Sequence, residues 1–107
     1  MSMDAVFKAL ADPVRRALLD ALREQGGQTL GALCDGRGMT RQAVSKHLAV
    51  LEAAGLVAAE KHGREKLHHL NPVPIQEIAD RWIGQYERGR LAALADLKRR
   101  LEGERDG

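Results

Sequence analysis

The sequence has few of the residues on which several classes of protein depend. Its 107 residues include one cysteine, Cys34, so neither an intramolecular disulfide nor an all-cysteine metal site can form within one chain. No apolar run approaches the roughly 18 residues of a membrane-spanning helix, and the N-terminus has no apolar signal-peptide region. We therefore expect a soluble, cytoplasmic protein with no membrane partner.

Aromatic residues are also few, and the net charge is small. The aromatics are Phe7, Trp82 and Tyr86, so leucine, alanine and valine must build the core, which suits a small helical protein. Hydrophobic residues make up 44% of the chain and charged residues 30%, which is typical of a globular protein, and the length predicts a single domain over residues 1–107. The formal net charge is only +2, so charge alone gives weak support for a nucleic-acid partner.

Helix start and stop signals are what the sequence has in abundance. An apolar face near the N-terminus predicts a first helix, and Asp12-Pro13 predicts the start of a second, since aspartate caps helices and proline is favoured in their first turn. Thr29 is placed to cap a short third helix. Glycines at positions 36 and 38 then interrupt the chain before Thr40, which gives the pattern helix, turn, helix.

The segment GMTRQAVSKHLAVLEAAGL, residues 38–56, predicts a helix over about 41–54, capped by Thr40 and ended by Gly55. Val44, Leu48 and Leu51 form a narrow apolar stripe. The opposite face has small, polar and cationic side chains that suit base edges and phosphates: Gln42, Ser45, Lys46, Ala49 and Ala53. An ordinary amphipathic helix explains this segment in isolation, but the flanking elements favour a recognition helix.

A change of periodicity after Gly55 predicts a β-hairpin over about 56–70. Two strand-length segments are joined by His62-Gly63-Arg64, a turn-forming sequence. Basic side chains cluster near the predicted tip. In isolation such a tip is more often a solvated turn than a contact site, but directly after a recognition helix it is typical of a wing that contacts the sugar-phosphate backbone.

The C-terminal third predicts one long helix. Residues 71–74, Asn-Pro-Val-Pro, predict an extended link that excludes helix. A broad apolar arc then continues over about residues 75–101, roughly 40 Å of helix, which is longer than so small a core can cover. We expect a second copy of the chain to cover it, with a bend or close helix crossing near Gly84 and Gly89.

The ordered motifs ALADPVRRALLDAL, TLGAL, MTRQAVSKHLAVLEAAGLV and HGREKLHHLNP, followed by the long helix, resemble the ArsR/SmtB family of winged-helix repressors over about residues 6–101. The resemblance implies a mainly α (α+β) fold, a winged helix-turn-helix with a two-stranded β-hairpin wing and a long C-terminal dimerisation helix. It also implies a sequence-specific DNA-binding homodimer, associating through its first and last helices, that binds an inverted repeat in double-stranded DNA and represses transcription.

Carried onto matching positions, the resemblance assigns DNA contacts to the recognition helix and to the wing: Thr40, Arg41, Gln42, Ser45, Lys46, His47, Lys61, His62, Arg64 and Lys66. Gln42 suits adenine, Arg41 suits guanine or a phosphate, and phosphate contacts are favoured for most of the others. A packed or capping role explains His47 at least as well as a DNA contact. The expected dimer interface comprises Met3, Phe7, Ile78, Trp82, Tyr86, Leu94 and Leu97; packing explains Trp82 and Tyr86 better than a ligand pocket does.

The family's metal-binding motifs do not match this chain. Where the family's thiolate site has a Cys-Val-Cys run, this sequence has Thr-Leu-Gly at 29–31, and no histidine or cysteine follows His69. His68 and His69 are neighbours in a strand and point to opposite faces, so they cannot readily chelate together. We therefore predict no metal and no cofactor, and the sequence identifies no small-molecule effector. Cys34 is better explained as a small buried hydrophobe than as a redox sensor.

Two other classes of function have less support from the sequence. A winged-helix protein-interaction module without specific DNA binding is compatible with the low net charge. An enzyme is the weakest hypothesis, because no Ser/His/Asp or Cys/His set shares a plausible cleft and no glycine-rich phosphate loop follows a strand. The sequence leaves open the operator, the regulated genes and whether the output is repression or activation.

Overall fold

The computed structural model describes residues 2–84, 86 and 88–106, which fall into two compact units, Met1–Gln76 and Glu77–Gly107. Six helices and one hairpin are present in these residues. They are α1 (Met3–Leu10), α2 (Pro13–Glu24), α3 (Leu30–Cys34), α4 (Arg41–Ala53), β1 (Val57–His62), β2 (Glu65–Leu70), α5 (Val73–Trp82) and α6 (Arg88–Asp106). The order of helices and hairpin confirms the fold class predicted from the sequence.

Side-chain caps begin three of the helices at the predicted residues. Thr29 Oγ1 accepts the backbone N–H of Ala32 at 3.1 Å at the start of α3, and Thr40 Oγ1 accepts that of Ala43 at 3.1 Å at the start of α4. Asp12 Oδ1 accepts the N–H groups of residues 14 and 15 at the start of α2. These bonds, that from Arg15 first, lower the pKa of the Asp12 carboxyl below its ordinary value, because they stabilise the charged form.

An aliphatic core holds the first unit together, as the shortage of aromatics predicts. All its largest fully buried side chains are leucine or valine: Leu18, Leu33, Leu51, Leu56, Val6 and Val44. Phe7, in contrast, lies on the surface of α1. Cys34 is half-buried at the end of α3, less enclosed than the sequence predicts.

The end of α4 determines how the chain enters the hairpin. Gly55 has φ +77°, a left-handed conformation that costs a side-chain-bearing residue about 1–2 kcal/mol. Its N–H donates to the carbonyl of Glu52 at 2.9 Å, and the N–H of Leu56 donates to that of Leu51 at 2.9 Å. This is the Schellman arrangement of a helix C-terminus, which places Leu56 in the core immediately before β1.

The hairpin closes through a two-residue turn and has a third segment at its base. His62 pairs with Glu65 across Gly63 and Arg64, and Gly63 takes φ +61° at the first turn position. At the other end, the backbone of Gln28 forms a bridge to His68 on β2. His68 N–H donates to Gln28 O at 2.8 Å, so the start of the helix-turn-helix (HTH) is joined to the wing.

The prediction of one long helix over residues 75–101 is wrong, because the chain forms two helices that separate beside Gly84, where the sequence predicts a bend or a close helix crossing. Helix α5 ends at Trp82 and α6 begins at Arg88, with a turn at Ile83 and Gly84 between them. A Cβ at Gly84 would lie 2.9 Å from the carbonyl oxygen of Asp80, so this turn requires the absence of a side chain there. The apolar periodicity therefore continues past a position where the chain leaves the helix.

The expectation that residues 71–74 exclude helix is also wrong, because α5 begins at Val73. Its first turn tolerates Pro74, since the N–H groups there have no partner within the helix. The carbonyl of Pro72 instead accepts from Ile75 and Gln76, each at 3.0 Å. None of the helices in the described ranges is long and apolar enough to cross a membrane.

Candidate nucleic-acid interface

One face of α4 is core and the other is exposed and polar. Val44, Leu48 and Leu51 are buried, as the sequence predicts. The proposed DNA-contacting side chains at the N-terminal end of the helix are exposed: Thr40, Arg41, Gln42, Ser45 and Lys46. Beyond the cap made by Thr40, none of these five side chains forms a hydrogen bond or ion pair with the described residues. Their donors and acceptors are therefore available to an external partner.

His47 occupies a different environment from its neighbours on α4. It is half-buried, and its Nδ1 lies 3.4 Å from Nη1 of Arg15 on α2. Arg15 also donates to the carbonyls of Ala9 and Lys8 at the end of α1, at 2.8 and 2.9 Å. His47 thus packs against an arginine that caps another helix, which favours the packing role over a DNA contact.

The tip of the wing presents the predicted basic side chains to solvent. Lys61, His62 and Arg64 are all exposed. Nε2 of His62 lies 3.1 Å from Oε1 of Glu60, two residues away on the same strand face. This acidic neighbour offsets part of the positive charge that the histidine would present when protonated.

Lys66 is exposed near the side chains predicted to contact DNA, but it already has a partner within the chain. Its Nζ lies 3.2 Å from Oε1 of Glu52, so an ion pair joins the wing to the C-terminal part of α4. Nε2 of the buried His68 is 3.8 Å from the same oxygen, and its Nδ1–H donates to Gln28 O at 2.9 Å. Glu52, Lys66 and His68 line a cavity of about 210 Å³ between α4 and the hairpin, whose other walls include Ser45 and Ala49.

Sequence reasoning missed Glu52 and Gln28 as parts of this region. Neither has a motif that marks it, because each acts through a residue at least 14 positions away. The two adjacent histidines do have different surroundings: His68 is buried, whereas His69 lies beside Gly26 and has Nε2 3.7 Å from Glu60 Oε2, too long for a hydrogen bond. Among the residues the structure describes, no group of three or more His, Cys, Asp or Glu could hold a metal ion.

Known proteins share this fold. A family model for a helix-turn-helix domain matches residues 10–59, which span the second to the fourth helix and the start of the hairpin. An HTH-type transcriptional regulator of Bacillus subtilis, YuzN, is 41% identical over 86 residues, covering 75% of this chain and 94% of YuzN. The structure of an ArsR-like transcriptional regulator from Rhodococcus sp. RHA1 superposes with a TM-score of 0.67 at 30% identity, covering 97% of this chain and 87% of that one.

The chain belongs to the ArsR/SmtB family. It is a DNA-binding transcriptional regulator with a winged helix-turn-helix fold. The transcriptional repressor SdpR of Bacillus subtilis is another relative, 32% identical over 75 residues, 70% of this chain and 82% of SdpR.

Proposed function

We propose that this ArsR/SmtB-family chain is a homodimeric transcriptional repressor that binds an inverted-repeat operator in the cytoplasm. The observation that carries the proposal is the N-terminal half of α4, where Arg41, Gln42, Ser45 and Lys46 are exposed and make no polar contact with the described residues. Side chains of this kind bond base edges and phosphates when a recognition helix enters the major groove. Repression is favoured because the relative SdpR is a repressor.

Exposed apolar side chains support the homodimer. Phe7 on α1 is 45% exposed, and Trp82 at the end of α5 is 54% exposed. Leu94 and Leu97 lie on α6 and are likewise exposed, while Met3 and Ile78 are half-buried. Large apolar side chains on solvent-facing helices mark surfaces that associate with a partner. Two-fold pairing would place two recognition helices in successive major grooves about 34 Å apart.

Selection of bound fragments from a random duplex pool, followed by titration, tests the proposal. We expect a two-fold symmetric sequence whose affinity falls steeply between about 50 and 200 mM salt, because each neutralised phosphate releases counterions. The double substitution Arg41→Ala plus Gln42→Ala should weaken binding without changing the thermal unfolding curve. Unaltered affinity in the double variant would disprove the assignment of the recognition helix.

The second candidate is a winged-helix protein-interaction module, which the net charge of +2 favours. In that function the hairpin and α4 serve as a scaffold and DNA is not the physiological partner. The same titration separates the two candidates. A salt-independent, sequence-independent response would support the interaction module.

A further inference from the structure

Gly31 is a glycine that the backbone does not require. It lies inside α3, and it is absent from the glycines with positive φ. Alanine is favoured over glycine in a helix, so a glycine at this position calls for another explanation. That explanation lies in what fills the space where its side chain would be.

The guanidinium of Arg41 occupies that space. A Cβ at Gly31 would lie 2.7 Å from Nη2 and 3.9 Å from Cζ of Arg41. Ordinary van der Waals contact begins at 3.4 Å, so Nη2 would have to move by at least about 0.7 Å to accept the methyl group. Because Nη2 is the end of a flexible side chain, this movement can occur without displacing the backbone.

The guanidinium of Arg41 lies against Gly31 without a polar partner among the described residues. With the residues that the structure describes, it forms neither a hydrogen bond nor an ion pair, so all five of its N–H donors are free. It lies in an open groove of about 280 Å³ that is lined by Thr29, Leu30, Gly31, Glu65 and Lys66. The groove thus combines two cations with one carboxylate.

The position of the groove indicates what Arg41 contacts. Helix α3 is the first helix of the HTH, and in such motifs this helix crosses the sugar-phosphate backbone while the next enters the major groove. An arginine packed against α3 therefore lies on the backbone side of the recognition helix. Its planar fork matches two oxygens of one phosphate.

We propose that Gly31 is a positioning residue, which leaves space for Arg41 to lie against α3 with its donors directed to a DNA phosphate. The inference rests on the proposed function, because it assigns a role within the same DNA interface. It adds a residue that touches no DNA itself and that acts only through Arg41.

A mutant cycle tests the proposal with wild type, Gly31→Ala, Arg41→Ala and the double variant, each titrated with the duplex that the wild type selects. Gly31→Ala should weaken binding about three- to tenfold at about 50 mM salt, as expected for a misplaced charge-assisted hydrogen bond. Arg41→Ala should lower the salt slope by about 0.9 per subunit. In the Arg41→Ala background, Gly31→Ala should have no further effect on binding.

Gly103→Ala is the matched control, since Gly103 is also helical and a Cβ there meets nothing within 4 Å. It should leave DNA binding unchanged, and neither glycine substitution should lower the melting temperature. The proposal is overturned if Gly31→Ala binds like wild type, or if it weakens binding equally with and without Arg41. A changed base preference at an unchanged salt slope would overturn the phosphate assignment. Absence of any salt-dependent binding by the wild type would instead overturn the proposed function itself.

Discussion

At the scale of single residues, the side chains that we propose to contact DNA fall into two groups. Arg41, Gln42 and Lys46 are free of polar partners within the described chain, whereas Lys66 already pairs with Glu52 at 3.2 Å. To bind a phosphate, Lys66 must leave this carboxylate or share it. We therefore expect Lys66 to contribute less to DNA affinity than its exposure suggests.

Glu52→Gln tests this competition. We expect DNA affinity to rise a few-fold, because Lys66 is released and one negative charge is removed near the interface. Stability should change by no more than about 1 kcal/mol, since Lys66 is exposed and Glu52 is only half-buried, so solvent screens the pair. Fluorescence anisotropy titrations of a selected duplex and of a scrambled duplex provide the measurement.

Asp20→Asn is the control for the loss of one carboxylate, because Asp20 also belongs to an exposed pair, with Arg23 at 4.0 Å. It should not raise the affinity. The gain from Glu52→Gln should also disappear in a Lys66→Gln background. A gain that persists there would show that Glu52 acts by general repulsion and not through Lys66.

The lowered pKa of Asp12 predicts how the stability of the fold depends on pH. Its pKa is lower in the folded chain than the unfolded value of about 3.9, so folding favours the charged form. The stabilisation is therefore present above the unfolded pKa and is lost as the pH falls through the lower folded value. Melting temperatures measured from pH 7 to pH 2 should fall less steeply below pH 4 for Asp12→Asn than for wild type. Equal slopes would contradict this role.

At the scale of elements, the junction between α4 and β1 fixes how the proposed recognition helix is connected to the wing. Gly55 ends the helix in a left-handed conformation, and the next residue, Leu56, is fully buried. Two backbone hydrogen bonds close this turn. The recognition helix and the wing are consequently joined without a flexible linker.

Gly55→Ala should destabilise the chain by about 1–2 kcal/mol, the cost of a Cβ in the left-handed region. Urea denaturation followed by circular dichroism measures the change. Gly55→Asn should cost less, because asparagine tolerates positive φ better than alanine. Equal losses for the two variants would mean that the conformation is not the cause.

At the scale of the whole molecule, the proposed function requires two copies. Trp82 and Tyr86 are exposed, and Arg81 lies 5.5 Å from the ring centroid of Trp82. A monomer would leave these aromatics in water. Pairing of two chains would bury them and would supply the two-fold symmetry that an inverted repeat requires.

Trp82→Ala should weaken dimerisation by at least about tenfold, since buried aromatics dominate interface energies. Sedimentation equilibrium should show a larger monomer fraction, and DNA affinity should fall with it. Val50→Ala, which removes an exposed apolar side chain of α4, is the control and should remain dimeric. A Trp82→Ala protein that is fully dimeric and fully active would contradict the assignment.

Local signals made the first half of the fold predictable. Caps at Asp12, Thr29 and Thr40 depend on residues two or three positions apart, and the sequence identifies them directly. Long-range contacts could not be predicted in this way. The bridge from Gln28 to His68 and the ion pair from Glu52 to Lys66 exist only because the hairpin folds back onto the HTH.

In the C-terminal region, the sequence predicts more helix than the structure has. Its apolar pattern continues through Gly84, so periodicity predicted one helix where the structure has two. Periodicity reports which side chains share a face but not whether every backbone position favours helix. At Gly84, the backbone lies so close to the carbonyl of Asp80 that a side chain would not fit.

The division of α4 into a buried stripe and an unpartnered polar face has an evolutionary consequence. Stability depends on Val44, Leu48 and Leu51, whereas Gln42, Ser45 and Lys46 contribute little to it. Substitutions at the latter positions can therefore accumulate after gene duplication without unfolding the protein. A duplicated copy can acquire a new target sequence in a few mutational steps, and the same separation makes these positions suitable for combinatorial libraries that aim to redirect the regulator.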